Sequence, residues 1–270
     1  MASTKESKKS NATKKVYTIT YGDVAENHAR MQKIGELHAE GYSLETLEAV
    51  QTRLEGEGVN CEMYALHDVL TDFWRETGEE QKVDEAYVLV IRKGVQHILG
   101  TEDTTTLMAE NDALTMDKHA FMKGRVVNKH ARWNLCFADE DQEPEYADGK
   151  GRIVAWRHIP LMQRVREKIA EWTTDKLLNG EANYYYDVEK CGIGYHGDGE
   201  RKKVFAMRMG GPMALYYQWY QRSERVGPRM EFNLEDGDMY MMSAKAVGFD
   251  WLKKTILTLR HATGCEKFTK

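Results

Sequence analysis

A chain of 270 residues with 41% hydrophobic and 30% charged residues can bury one large core or two modest ones, and its composition is that of an ordinary soluble globular protein. Its apolar runs, such as residues 86–91, are far too short to span a bilayer, and the opening MASTKESKKSNATKK lacks the apolar segment of a secretory signal, which predicts an intracellular, non-secreted protein with no membrane partner. A net charge of −5 excludes a globally basic field, and four scattered cysteines, Cys61, Cys136, Cys191 and Cys265, exclude a dense disulfide framework and fit a reducing setting.

Residues 1–15 are small, polar and charged, with five lysines against one glutamate, and are expected to form a disordered basic tail. Residues 16–21 alternate β-branched and aromatic side chains, which predicts a strand. Asp23 is placed to cap a helix over residues 24–39 that stops near Gly41. Ser43, followed by Leu44, Leu47, Val50 and Leu54, predicts a second, amphipathic helix ending at Gly56 and Gly58. A third helix is expected over residues 64–75, a buried strand over 86–91, and helices over 95–99 and 104–114. The block 16–120 therefore reads as a mixed α/β N-terminal region of unknown role, without a motif of nameable chemistry.

From about Lys123 the texture changes to aromatic strands. Residues 125–137 and 152–157 read as extended, separated by the acidic, turn-like stretch 139–151. Pro160 starts a helix reaching about residue 178, with Leu161, Val165, Ile169 and Trp172 on one face. Beyond Asn179, strand-like segments are punctuated by Gly210-Gly211-Pro212, Gly227-Pro228 and Asp236-Gly237, the pattern of a β-barrel or sandwich. A local basic cluster, Lys118, Lys123, Arg125, Lys129 and Arg132, includes Asn128-Lys129-His130-Ala131-Arg132-Trp133, which mixes cations with an aromatic as a nucleic-acid contact does. A solvated outer strand is the plainer reading of the same residues. In residues 216–220, alternate aromatics are expected in the core, and residues 239–242 read as core filling.

The informative segment is Cys191-Gly-Ile-Gly-Tyr-His196-Gly-Asp198-Gly-Glu200. Residues two apart on a strand share a face, so His196 and Asp198 can reach one metal ion. An imidazole with a carboxylate suits a six-coordinate iron(II) that keeps positions open. Glu200 and Arg201 are candidate partners of that site, with surface charge as the default.

The order of motifs around this segment resembles the AlkB-like dioxygenases: Asn183-Tyr-Tyr185, the Gly-Tyr-His196-Gly-Asp198-Gly-Glu strand, Leu234-Glu-Asp-Gly237-Asp238, and a closing Lys254-Thr-Ile-Leu-Thr-Leu-Arg260. The resemblance covers residues 183–260. It implies an α+β fold in which a double-stranded β-helix (jelly-roll) oxygenase domain, residues 121–270, follows the N-terminal region. It implies Fe(II) and 2-oxoglutarate as cofactors, with His196 and Asp198 on the iron. Arg260 and Lys254 would pair with the two carboxylates of 2-oxoglutarate, and Asn183 and Tyr185 would hydrogen-bond it. Lys254 departs from the family, where this cation is usually arginine.

The family's third iron ligand is a histidine between the Gly-Asp strand and the last strand, and residues 243–254 contain none. His261 and Asp250 are the two candidates. His261 preserves a two-histidine, one-carboxylate set, although its side chain should point opposite to Arg260. Asp250 lies where the loop normally delivers the ligand. The implied activity is hydroxylation or oxidative demethylation of a macromolecule, with modified DNA or RNA as first choice. A protein hydroxylase of the same fold, or a binding module with a decayed metal site, are the alternatives.

Overall fold

A computed structural model of the chain describes residues 14–78 and 82–270, so the expected tail lies outside it except for Lys14 and Lys15. Strand β1 (Val16–Gly22) is followed by the hairpin β2 (Val24–Glu26) and β3 (Lys33–Gly35), helix α1 (Leu44–Gly56), β4 (Cys61–Ala65), α2 (Asp68–Thr77), β5 (Tyr87–Ile91), α3 (Gly94–Leu99) and α4 (Thr105–Asp112). A second hairpin, β6 (His119–Met122) with β7 (Arg125–Asn128), leads to β8 (Trp133–Ala138), β9 (Ile153–Ala155) and α5 (Pro160–Thr173). The chain continues through β10 (Asn179–Tyr185), β11 (Gly192–His196), β12 (Val204–Gly210), β13 (Leu215–Gln221), β14 (Glu224–Phe232), β15 (Met239–Met242), α6 (Ala244–Val247), β16 (Thr258–Gly264) and α7 (Glu266–Thr269). No helix among the described residues is long and apolar enough to cross a membrane.

Two antiparallel-rich sheets carry this α+β architecture. The large one has the order β4-β5-β15-β12-β1-β10-β8-β9, the small one β11-β16-β13-β14. On β1, Tyr17, Ile19 and Tyr21 point to one side of the large sheet, where they join Phe205, Met207 and Met241 beneath the helices. Helix α5 seats Met162, Val165, Ile169 and Trp172 there, each buried to within a few percent, at roughly 1.5–3 kcal/mol apiece. The other side of the sheet faces the small sheet, with Val204, Ala206 and Tyr240 packed against Tyr217, Trp219 and Leu259. Because both faces are covered, all seven residues of β1 are buried. Residues 239–242 are likewise all buried, as expected of core filling.

The Ser43 side chain accepts from the Thr46 backbone N–H and starts α1, whose Leu47, Val50 and Leu54 are buried as their spacing predicts. The helix expected over residues 24–39 is replaced by the β2–β3 hairpin. Asp23 is no helix cap: its buried carboxylate accepts from the backbone of Lys202 (3.0 Å), Lys203 (2.8 Å) and His38 (2.9 Å), pinning the hairpin to the segment before β12. Positive φ at Arg30 and Gly35 also excludes a continuous helix. The expected strand 125–137 is broken after Asn128, and the helix expected over 64–75 begins as β4.

The boundary near residue 120 does not divide the fold. β1 lies between β10 and β12, and β5 pairs with β15, so strands from the N-terminal region complete the sheet of the C-terminal one. Backbone N–H and C=O groups on either side of β1 are satisfied only by residues roughly 160–190 positions away.

Candidate metal centre and its pocket

β11 and β16 are neighbours in the small sheet, and their register sets His196 directly opposite His261. Opposed residues of an antiparallel pair share a face, so both imidazoles point between the sheets, their ring centroids 4.5 Å apart. Asp198, two residues past His196, is held by its backbone N–H on the Val247 carbonyl at 3.0 Å. Its Oδ1 lies 3.5 Å from the Nε2 atom of each histidine. The donor atoms of the three residues all fall within 4.8 Å of one another.

Gly197 lets this happen. A Cβ there would sit 2.1 Å from the Gly248 carbonyl oxygen and 2.7 Å from Trp251 Cβ, so only glycine admits the end of α6 against the His-Gly-Asp segment.

His196 Nδ1 lies 2.8 Å from the Gly194 carbonyl, which fixes that nitrogen as the donor and leaves Nε2 free to coordinate. Loss of water and the neighbouring His261 push His196 down to about 3, keeping it in the neutral, ligating form. Burial opposes ionisation of Asp198, but Arg201 and the two imidazoles outweigh it and hold the carboxyl well below the usual range. Arg201, only 3% exposed, reaches Asp198 Oδ2 at 3.6 Å, Glu200 Oε1 at 2.7 Å, and Glu181. Arg201 is therefore a buried partner of the site and half-buried Glu200 is paired to it, so the surface-charge reading does not hold for Arg201. Among the described residues, His261 Nδ1 is buried without a partner.

The three residues open into a cavity of about 670 Å³ between the sheets. Its walls include Thr18 and Thr20 of β1, Glu181, Asn183 and Tyr185 of β10, and Tyr240 of β15; Arg30 and Lys33 of the β2–β3 hairpin and Trp251 and Leu252 after α6 edge it. Asn183, assigned to 2-oxoglutarate from sequence, is in this wall: its Oδ1 accepts from Arg132 Nε at 2.5 Å and from Asn134 Nδ2 at 2.9 Å. Tyr185 is beside it, 2% exposed.

The two expected cosubstrate cations are elsewhere. β16 begins at Thr258, so Lys254 is not on the last strand but in the exposed turn before it. Arg260 points away from the cavity, as alternation with His261 requires, and lies over the rings of Tyr220 (4.0 Å) and Trp251 (5.3 Å). Asp250, the alternative third ligand, is next to Trp251 in the chain but is not among the cavity-lining residues: its Oδ2 is bound by Lys245 at 2.9 Å. The structure thus brings together His196, Asp198, His261, Asn183 and Tyr185, and leaves out Arg260, Lys254 and Asp250.

Sequence reasoning passed over Arg208. This residue on β12 is fully buried, and among the described residues no carboxylate bonds it. Its guanidinium donates to Thr18 Oγ1 at 2.7 Å and to Thr263 Oγ1 at 3.4 Å, two hydroxyls of the cavity wall, while Nε has no partner. Burial lowers its pKa. The signal was visible: a lone arginine inside the apolar strand Val-Phe-Ala-Met-Arg208-Met. A charge in such a run is either a surface residue of an edge strand or a buried group awaiting a counter-ion.

Compared with known proteins, the chain is 46% identical over 257 residues to "Uncharacterized protein R156" of Acanthamoeba polyphaga mimivirus, a match spanning 95% of this chain and 98% of that one. No family model matches the chain.

Proposed function

This chain belongs to the family of that mimivirus protein, and from its site we propose that it is an Fe(II)/2-oxoglutarate-dependent oxygenase acting on a macromolecule, modified nucleic acid being the substrate class that its cations favour. The observation that carries this reading is the convergence of His196, Asp198 and His261 on one point at the cavity wall. Donor atoms separated by 3.5 Å are close to the spacing of about 3 Å that neighbouring ligands take around an ion with bonds of about 2.1 Å. The residues fit the metal in kind as well: two neutral imidazoles, one carboxylate kept ionised by Arg201, and an open side facing the cavity.

The strand order supports a double-stranded β-helix. From β10 onward the chain crosses repeatedly between the two sheets, with β10, β12 and β15 in the large one and β11, β13, β14 and β16 in the small one. The position between β10 and β12 belongs to β1. We read β1 as the eighth strand of the roll, supplied from the opposite end of the chain.

When bound, iron(II) with 2-oxoglutarate and oxygen supplies C–H hydroxylation, which on an N-methyl carbon ends in loss of formaldehyde. His196, Asp198 and His261 would hold the ion. Arg208, buried behind Thr18 and Thr263 of the cavity wall, would supply the positive charge for one end of the dicarboxylate, in place of Arg260 and Lys254. Arg132, fixed on Asn183, presents a second guanidinium at the same cavity. Trp251 and Leu252 narrow access to water at the edge.

The test is an anaerobic titration of metal-free protein with iron(II) and 2-oxoglutarate, followed by the visible metal-to-oxoglutarate charge-transfer absorption. Wild type develops the band, His196→Ala and His261→Ala lose it, and Asp250→Ala keeps it. Folded wild type without the band refutes the oxygenase reading and leaves a binding module.

A further inference from the structure

The basic cluster between Lys118 and Arg132 is not absorbed by the metal centre, and the fold gives it a shape. Lys123 and Gly124 both have positive φ, 50° and 79°, as a tight two-residue hairpin turn requires, and they join β6 to β7 as a two-stranded ribbon. The ribbon pairs with no third strand. His119, Met122, Lys123, Arg125, Val126 and Asn128 are all exposed. Among the described residues neither Lys123 nor Arg125 has a carboxylate partner, whereas carboxylates of the acidic stretch that follows β8 are ion-paired locally: Glu140 and Asp141 share Arg157, Glu143 meets Arg152, and Glu145 meets Lys150. The ribbon's charge is therefore free to act on something else.

The base of the ribbon reaches the cavity. Lys129, just past β7, donates to Asn27 Oδ1 at 2.6 Å and to Asn134 Oδ1 at 3.0 Å, and Asn27 and Arg132 both line the cavity. His28, Arg30 and Lys33 of the β2–β3 hairpin, whose loop Asn27 begins, also line the cavity. Cations thus run from the ribbon tip at Lys123 and Arg125 to the wall that carries the metal centre.

We infer that the β6–β7 ribbon docks on the phosphate backbone of a nucleic-acid duplex, entering its major groove and holding the polymer over the cavity. The base of the ribbon packs on Tyr146 and buries Ala120, while its tip, residues 122–126, is exposed, and a projecting two-stranded ribbon fits the width of that groove, about 12 Å. Unpaired cations at its tip are what phosphates select, each contact releasing counter-ions. This rests on the substrate class proposed above, but its test is independent of the metal.

Binding of a fluorescent 20-base-pair duplex is measured by anisotropy in EDTA without 2-oxoglutarate, for wild type, Lys123→Glu/Arg125→Glu and the control Arg164→Glu on the exposed side of α5. The double variant is expected to lose at least tenfold in affinity, and its log–log salt slope to fall by about 2; Arg164→Glu is expected to bind as wild type. Both ribbon side chains are exposed and unpaired, so an unchanged melting temperature confirms folding. Unchanged affinity in the double variant overturns the proposal, as does tighter binding of the single strand, or equal binding of polyglutamate at matched charge. Loss of duplex binding in wild type with the charge-transfer band intact refutes the ribbon alone. Ribbon-dependent binding without the band refutes the oxygenase reading and leaves the ribbon standing.

Discussion

Replacing Arg208 by methionine separates a ligand-binding arginine from a structural one. A guanidinium taken out of water without a carboxylate costs several kcal/mol, which the native fold recovers only in part. What it recovers here is one good hydrogen bond to Thr18 Oγ1 at 2.7 Å and a long one to Thr263 Oγ1 at 3.4 Å. Thr263 Oγ1 keeps another bond, donating to the Ala214 carbonyl at 2.6 Å, so only Thr18 is left short. Methionine fills a similar length without a charge, so the ligand-free protein should gain about 1–2 kcal/mol, raising its melting temperature by about 2–4 °C. On the proposed oxoglutarate reading, the same change is expected to remove a charge-assisted interaction of about 1.5–3 kcal/mol with the cosubstrate carboxylate and so weaken 2-oxoglutarate by about 10- to 100-fold. Thermal unfolding of the metal-free protein and calorimetric titration of oxoglutarate into the iron-loaded protein check the two halves. A melting temperature lowered by more than about 5 °C with oxoglutarate affinity unchanged would show that Arg208 is structural and refute the reasoning.

Two further outcomes follow from the cavity. Burial, with Glu200 next to it, raises Glu26 to about 7; a raised carboxyl binds more protons folded than unfolded between pH 4.5 and 7, so this group's contribution is present below that window and is lost as pH rises through it. Glu26→Gln keeps an acceptor for the Arg30 N–H and should stabilise the protein by about 1–2 kcal/mol at pH 8 while leaving it unchanged at pH 4.5; urea unfolding across that range checks it, and a constant difference at all pH values contradicts it. Gly197→Ala forces a Cβ to within 2.1 Å of the Gly248 carbonyl, so it should cost more than about 2 kcal/mol and weaken iron binding; an alanine variant with wild-type stability would mean that the α6 end does not press on the metal segment.

The sequence by itself determined what is local. The spacing of two between His196 and Asp198 marks them as a candidate metal-ligand pair, although β11 ends at His196; a 3.6-residue repeat behind Ser43 makes α1, and Pro160 opens α5. These depend on neighbours within a turn or two of chain. Tertiary structure decided what depends on distant partners. His261 becomes the third member of the triad because β16 pairs with β11 in a register that sets it opposite His196, a relation no spacing within 243–261 encodes. The same alternation that turns His261 inward turns Arg260 outward, so the cation assigned from motif order leaves the cavity, while Arg208, four strands earlier, lies buried behind Thr18 of its wall. Asp23 has the side chain of a helix cap, but three backbone N–H groups brought to it by β12 and the hairpin outcompete a helix that would satisfy only its own first turn. β1 looks like an ordinary amphipathic strand until both its edges and both its faces are claimed by residues from the far half of the chain, because only closure of the large sheet around it satisfies its hydrogen bonds and buries Thr18 against Arg208.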